Sequence, residues 1–176
     1  MTVVRPMQGS DLTEILRIQA ASYAGDIPES QASLMAKFVA SPASCFVAHN
    51  ERQLVGYVFA LPWQSDAPPA LNAPDCQLPS EIDCLYIHDL AVDPQARGTD
   101  VARSLFVSLL PLLDQYKLDR MFLTAVQYSS GFWQKQGFVP AQTSQLIDEK
   151  LRTYGTDAVY MYRSASDAST TPQTKG

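Results

Sequence analysis

The segment IDCLYIHDLAVDPQARGTDVARSLFVSLLPLL, residues 82–113, constrains the fold more than any other part of the chain. Residues 82–92 form an apolar run of strand length and read as a buried strand. From Val101 onward apolar side chains recur at Leu105, Leu109, Leu112 and Leu113, the spacing of one helix face. The turn DPQARG joins the two. A strand that feeds a helix through so short a turn leaves the helix N-terminus at the strand's end, with unpaired N–H groups and a partial positive charge. That is an anion site, and its size suits a pyrophosphate. Gly98 lets the backbone come close to such a group, and Arg97 adds charge. The turn does not match GxxxxGK[ST], and GxGxxG is absent, so ATP and NAD are poor guesses for its ligand.

The rest of the chain reads around this unit. VVRPM (3–7) is a short strand. Ser10 and Asp11 are N-cap candidates for a helix with the stripe Leu12, Ile15, Leu16, Ile18 and Gln19. A second helix starts near Pro28-Glu29-Ser30 and ends at Ser41-Pro42. CFVAHN (45–50) and QLVGYVFALPW (53–63) form a hairpin. Residues 64–81, with four prolines, are a long loop of the kind that often carries function. Pro111 is expected to kink the helix at 101–116 or divide its last turn. RMFLTAVQY (120–128), GFVPA and DAVYMYR (157–163) supply three more strands, with a short helix at SSGFWQKQ. The order β-α-α-β-β-β-α-β-α-β-β gives an α/β fold: a single domain over residues 1–163 with one mixed central sheet of about seven strands flanked by helices. Residues 164–176 form a polar tail expected to be disordered.

Composition sets limits. The chain has 176 residues, 46% apolar and 18% charged, and a net charge of −5. That balance argues against nucleic acid as a partner and suits cationic substrates. No apolar run reaches the roughly 18–20 residues of a membrane span. The N-terminus lacks a secretory pattern. Cys45, Cys76 and Cys84 are an odd count without a CxxC pair. They are expected to be reduced, in a cytoplasmic protein with no metal site.

LAVDPQARGTDVARSLF resembles the acyl-CoA-binding motif of the GNAT N-acetyltransferases through Leu90, Val92, Pro94, Arg97, Gly98, Ala102 and Leu105. SSGFWQKQGF (129–138) resembles a second element of that family through Gly131, Phe132, Trp133, Gly137 and Phe138. The resemblance implies that strands 4 and 5 splay apart and that acetyl-CoA lies in the gap. Its pantetheine arm would pair with the main chain of Leu90, Ala91 and Val92. Its pyrophosphate would sit on the N–H groups of Arg97, Gly98, Thr99, Asp100, Val101 and Ala102. The implied reaction is direct attack of a primary amine (a small amine, a lysine or an N-terminal amino group) on the acetyl thioester in a ternary complex. Family members often form homodimers, and nothing in the sequence marks an interface.

Two residues depart from the pattern. Asp100 replaces a glycine. Either it reproduces the glycine's backbone, or its carboxylate caps the N–H groups that phosphate needs, or it points to solvent. Trp133 stands where the family often has a tyrosine that protonates the thiolate, and indole is too weak an acid for that. Trp133 is then a packing residue beside the CoA arm. Tyr128 could be the replacement acid, Ser129 or Ser130 could act through water, or no acid is needed, because a CoA thiolate leaves tolerably well near neutral pH. His88 is the first choice for base, against a reading as a buried strand histidine. Asp89 is a supporting residue. Strict alternation puts Tyr86, His88 and Leu90 on one side and Ile87, Asp89 and Ala91 on the other. Glu81 and Asp83 flank the strand's start. Tyr23, Asp26, Glu29, loop 64–81, Tyr154 and Gly155 are expected to complete the acceptor pocket. The rival reading is a GNAT-fold sensor or interaction module that binds CoA weakly or not at all and catalyses nothing.

Overall fold

The structure, a computed structural model, describes residues 1–23 and 28–166. Its strands are β1 (Val3–Pro6), β2 (Cys45–His49), β3 (Leu54–Trp63), β4 (Cys84–Val92), β5 (Arg120–Ala125), β6 (Val139–Pro140) and β7 (Val159–Ser164). Its helices are α1 (Leu12–Ser22), α2 (Gln31–Ala40), α3 (Val101–Tyr116), α4 (Ser130–Lys135) and α5 (Gln145–Arg152). The seven strands make one sheet in the order β1-β2-β3-β4-β5-β7-β6. Every neighbouring pair is antiparallel except β4 and β5, which α3 connects as a parallel crossover.

Period-two alternation in β3 builds both cores. Val58 and Ala60 join Leu105, Phe106 and Leu109 of α3 on one face. Tyr57 and Phe59 join Ile15, Ile18 and Leu34 of α1 and α2 on the other. At Gly56 β3 comes close to Val101 and Leu105 of α3. A Cβ there would lie 2.9 Å from Val101 Cγ1 and 3.0 Å from the Ala91 carbonyl oxygen. Arg5 holds Asp11 through two 2.7 Å hydrogen bonds and ties β1 to the start of α1.

Three expectations change. The sequence order omitted α5, which Ser144 starts by accepting the Ile147 N–H. Pro111 does not divide α3, which runs unbroken to Tyr116. Pro111 and Val107 both face solvent, so the carbonyl that loses its partner is not stranded in the core. The alternation expected along β4 breaks at His88, as described below. Of the tail, β7 takes residue 164, and residues 167–176 lie outside the described residues. None of the described helices is long and apolar enough to cross a membrane.

Because the Gly56 gap is closed by backbone as well as by side chains, Gly56→Ala is expected to destabilise the protein by about 1–3 kcal/mol. Thermal or urea unfolding checks this, and an unchanged midpoint would show that α3 shifts freely.

Candidate active site

β4 and β5 pair from Leu85 opposite Met121 to Ile87 opposite Leu123, and then part. A cleft of about 400 Å³ opens beyond that point. On its other edge β4 slips by one residue against β3. Ile87 faces Ala60 and Asp89 faces Phe59, which leaves His88 without a partner. This is a β-bulge, and it bends the strand and resets its faces. Ile87, Leu90 and Val92 pack toward α3, whereas Asp89 and Ala91 turn toward α1 and α2. His88 turns the same way as Asp89, to Glu29. The expected separation of His88 from Asp89 is therefore corrected: two consecutive polar side chains share one face.

The bulge also sets the main chain. The Asp93 N–H donates to the Val55 carbonyl at 2.9 Å. Antiparallel pairs alternate, so Ala91 and Asp89 bond to β3, while Leu90 and Val92 turn their N–H and C=O groups toward the cleft. The Leu90 carbonyl accepts the Tyr23 hydroxyl at 3.0 Å, and the Val92 carbonyl accepts the Ser22 hydroxyl at 3.2 Å.

The turn after β4 is anchored by buried Asp93, which accepts the Gln95 N–H and an Arg17 guanidinium at 2.7 Å. Gly98 has φ +78° and open space around its Cα, so it supplies the left-handed step. Asp100 has φ −77°, which any residue adopts, and its exposed carboxylate makes no cap hydrogen bond. Thr99 bonds back to the Ala96 carbonyl at 2.5 Å. Arg97 and Ala102 line the cleft beside Val92. Val101 is buried against β3.

Side chains expected to do chemistry are placed unequally. Asp89 lines the cleft and accepts Tyr23 Oη at 2.6 Å and Tyr57 Oη at 2.8 Å. Burial pushes its carboxyl up to about 6, while the tyrosine hydroxyls and nearby His88 pull the other way. The His88 side chain is 1% exposed, with Nε2 against Glu29 Oε1 and a buried Nδ1 that has no partner. Tyr128 is 88% exposed with φ +60°, and its N–H donates to Asp157. Its side chain is not among those lining the cleft, whereas Ser129 is. Trp133 is 6% exposed, packs edge-on to Phe132, Phe138 and Phe106, and forms part of the cleft wall. Glu29, Tyr23 and Tyr154 also line the cleft. Gly155 and Glu81 are exposed, and Asp83 closes loop 64–83 through Ser65. Asp26 lies outside the described residues.

Glu29 centres a buried network that sequence reasoning missed in part. Its Oε2 accepts Ser33 Oγ at 2.5 Å, Lys37 Nζ at 2.8 Å and the Asn72 N–H at 3.0 Å. Burial opposes its ionisation, but adjacent His88 and the bonds from His88, Lys37 and Ser33 prevail, and the carboxyl sits well below the usual range. A signal was available for Lys37. It lies three residues after Leu34 and four after Ser33, on the inward stripe of α2, where a lone cation needs a buried partner.

Comparison with known proteins places this geometry. The model of the acetyltransferase (GNAT) domain matches residues 21–154, and the chain belongs to that family of acyltransferases. No curated protein sequence matches. Among solved structures, the GNAT-like decarboxylase GphF in complex with isobutyryl-CoA is similar at 17% identity and a TM-score of 0.76, over 93% of this chain and 99% of that one. The ribosomal-protein-S18-alanine N-acetyltransferase from Escherichia coli is similar at 14% identity and 0.64, over 100% and 99%. The PaiA N-acetyltransferase from Thermoplasma acidophilum in complex with coenzyme A is similar at 12% and 0.67, over 93% and 99%.

Two stability predictions follow from the buried charges. Lys37→Met leaves Glu29 buried without its cation and should cost about 3–5 kcal/mol in denaturant unfolding. Asp89 acts in the opposite sense. Its carboxyl is raised, so between about pH 4 and 6 the folded protein binds more protons than the unfolded chain, and this term loses stability as pH rises. Asp89→Asn removes the term. Relative to wild type, the variant should gain roughly 1–3 kcal/mol on going from pH 4 to pH 7. A difference that stays flat with pH would refute the assignment.

Proposed function

We propose that the protein transfers the acetyl group of acetyl-CoA to a primary amine. The observation that carries this reading is the cleft between β4 and β5. Its wall offers the N–H and C=O groups of Leu90 and Val92, and its mouth is the Gly98 turn at the N-terminus of α3. An extended amide-bearing arm suits the first feature, and a pyrophosphate suits the second. Similar structures that hold coenzyme A or an acyl-CoA support the same ligand class.

In this reading Leu90, Ala91 and Val92 hold the arm. The main chain from Arg97 through Ala102, namely Gly98, Thr99, Asp100 and Val101 between them, holds the phosphates, with the Arg97 side chain adding charge. Trp133 and Phe132 form an apolar wall that keeps water from the thioester. Asp89 is the base. An arriving ammonium gives one proton to its carboxylate, which with a value near 6 is mostly ionised at neutral pH and a stronger base than an ordinary carboxylate. The neutral amine then attacks the thioester carbon, with the oxyanion held by a main-chain N–H turned into the cleft. The C–S bond breaks, and the amine's second proton goes to the departing thiolate through water at Ser129. His88 also lines the cleft, but its Nε2 is taken up by Glu29, so in this reading it holds the bulge in place and leaves the proton transfer to Asp89. Tyr128 stays at the rim.

The rival reading, a non-catalytic module, drew on Asp100 and Trp133. Both now have benign geometry: an exposed carboxylate in an ordinary conformation, and a packed aromatic ring. Calorimetry with acetyl-CoA at moderate salt tests the reading. Binding in the micromolar range is expected, with Asp100→Gly changing it less than about threefold. Arg97→Glu should weaken it at least about tenfold, since it places a like charge beside the phosphates. No binding at millimolar ligand, or a large gain from Asp100→Gly, would favour the module.

A further inference from the structure

The loop after β3 is built as a bridge over the acceptor end of the cleft. Tyr160 Oη donates to the Ser65 carbonyl at 2.6 Å, and Trp63 Nε1 donates to the Ala67 carbonyl at 2.7 Å. The Lys150 ammonium reaches the Pro68 carbonyl from α5. Pro68 and Pro69 are buried, and Leu71 enters the cleft wall near Tyr154. Asn72 then lands on the opposite wall. Its N–H donates to Glu29, its side-chain oxygen accepts the Ser30 N–H at 2.7 Å, and its φ of +55° is one asparagine tolerates better than most residues. The chain thus runs from the α5 and β7 side to the start of α2. An acceptor tethered to a polypeptide would have to trail out past this bridge.

Charge narrows the choice further. Asp89 and Glu29 face this end of the cleft, and Lys37 is spent on Glu29. Among the described residues lining the cleft, Arg97 is the one permanent cation, and it sits at the phosphate turn. An acceptor carboxylate or phosphate here would lie beside Asp89 with no permanent cation among the described lining residues to pair with, at a large desolvation cost. Size points the same way. A single drug-sized ligand fills about 300–1,000 Å³. This cleft, at about 400 Å³, must hold the thioester end of the donor as well.

We propose that the acceptor is a compact primary amine with a short apolar body and no anionic group, bound against Leu71, Tyr23 and Tyr154. This rests on the acetyltransferase reading above and narrows it. The test uses matched pairs on the wild-type protein: phenethylamine against phenylalanine, and butylamine against norvaline, which differ only by the carboxylate. A tetrapeptide with a free N-terminus joins the panel. CoA thiol release is measured alongside acetyl-CoA binding. The expected result is a kcat/KM for the amines at least about 100-fold above their amino acids and above the peptide. If acetyl-CoA binds and amino acids or peptide are turned over within about tenfold of the amines, or in their place, this inference falls and the acetyltransferase reading stands; if acetyl-CoA binds and no acceptor is turned over, this inference falls and the non-catalytic module is favoured. If acetyl-CoA does not bind, both fall.

Discussion

One unpaired residue in β4 decides the rest of the site. With perfect pairing, β4 would continue alongside β5, and His88 and Asp89 would face opposite layers. The slip at His88 bends the strand where its parallel partner leaves it, between Ile87 and the end of β5. The same slip turns Leu90 and Val92 into the gap and brings Asp89 under the hydroxyls of Tyr23 and Tyr57. A cleft, an accepting main chain and a half-buried carboxylate thus share a single cause.

A bulge needs something to hold it, and here the hold is ionic. His88 is fixed by Glu29, and Glu29 is fixed by Lys37, Ser33 and the N–H of Asn72. Burying this many charges adds little net stability, but it punishes any arrangement that separates them. The network therefore specifies register more than it stabilises the fold. It also sorts two neighbouring carboxylates by environment. Glu29, bonded by cationic and hydroxyl donors, is held ionised, while Asp89, bonded only by neutral tyrosines, is pushed up to about 6. In the proposed reaction the carboxylate with the higher value, Asp89, is the one that takes the proton.

Much of this was legible in the sequence. The apolar run 82–92, the Gly98 turn and the helical stripe from Val101 dictate the crossover unit, and the seven strands follow from apolar runs and turn residues. What could not be read was long-range. No local pattern announces a bulge, since it depends on how β4 registers against β3, so His88 and Asp89 were assigned to opposite faces. Glu29 was expected at the pocket, but its partners Lys37 and Asn72 come from α2 and a distant loop. α5 was missed because its stripe is narrow: Ile147 is the one fully buried side chain in it, and its other face is charged. Tyr128 looked suitable by type and place. The two consecutive left-handed residues, Gln127 and Tyr128, turn its ring out to solvent, and residue type alone did not reveal that.

The Asp100 departure shows why a motif letter and a backbone requirement are different things. Glycine is needed where φ is positive or where a Cβ would collide. In the turn before α3 the positive φ falls at Gly98, and position 100 is already in a conformation open to every residue. A carboxylate there harms anion binding only if it folds back onto the first-turn N–H groups. Asp100 is exposed and makes no such bond. In the proposed reading its charge would act on a phosphate at this turn only through water, where it is screened. The turn keeps both features an anion needs, the left-handed glycine and the open helix end, and the aspartate removes neither.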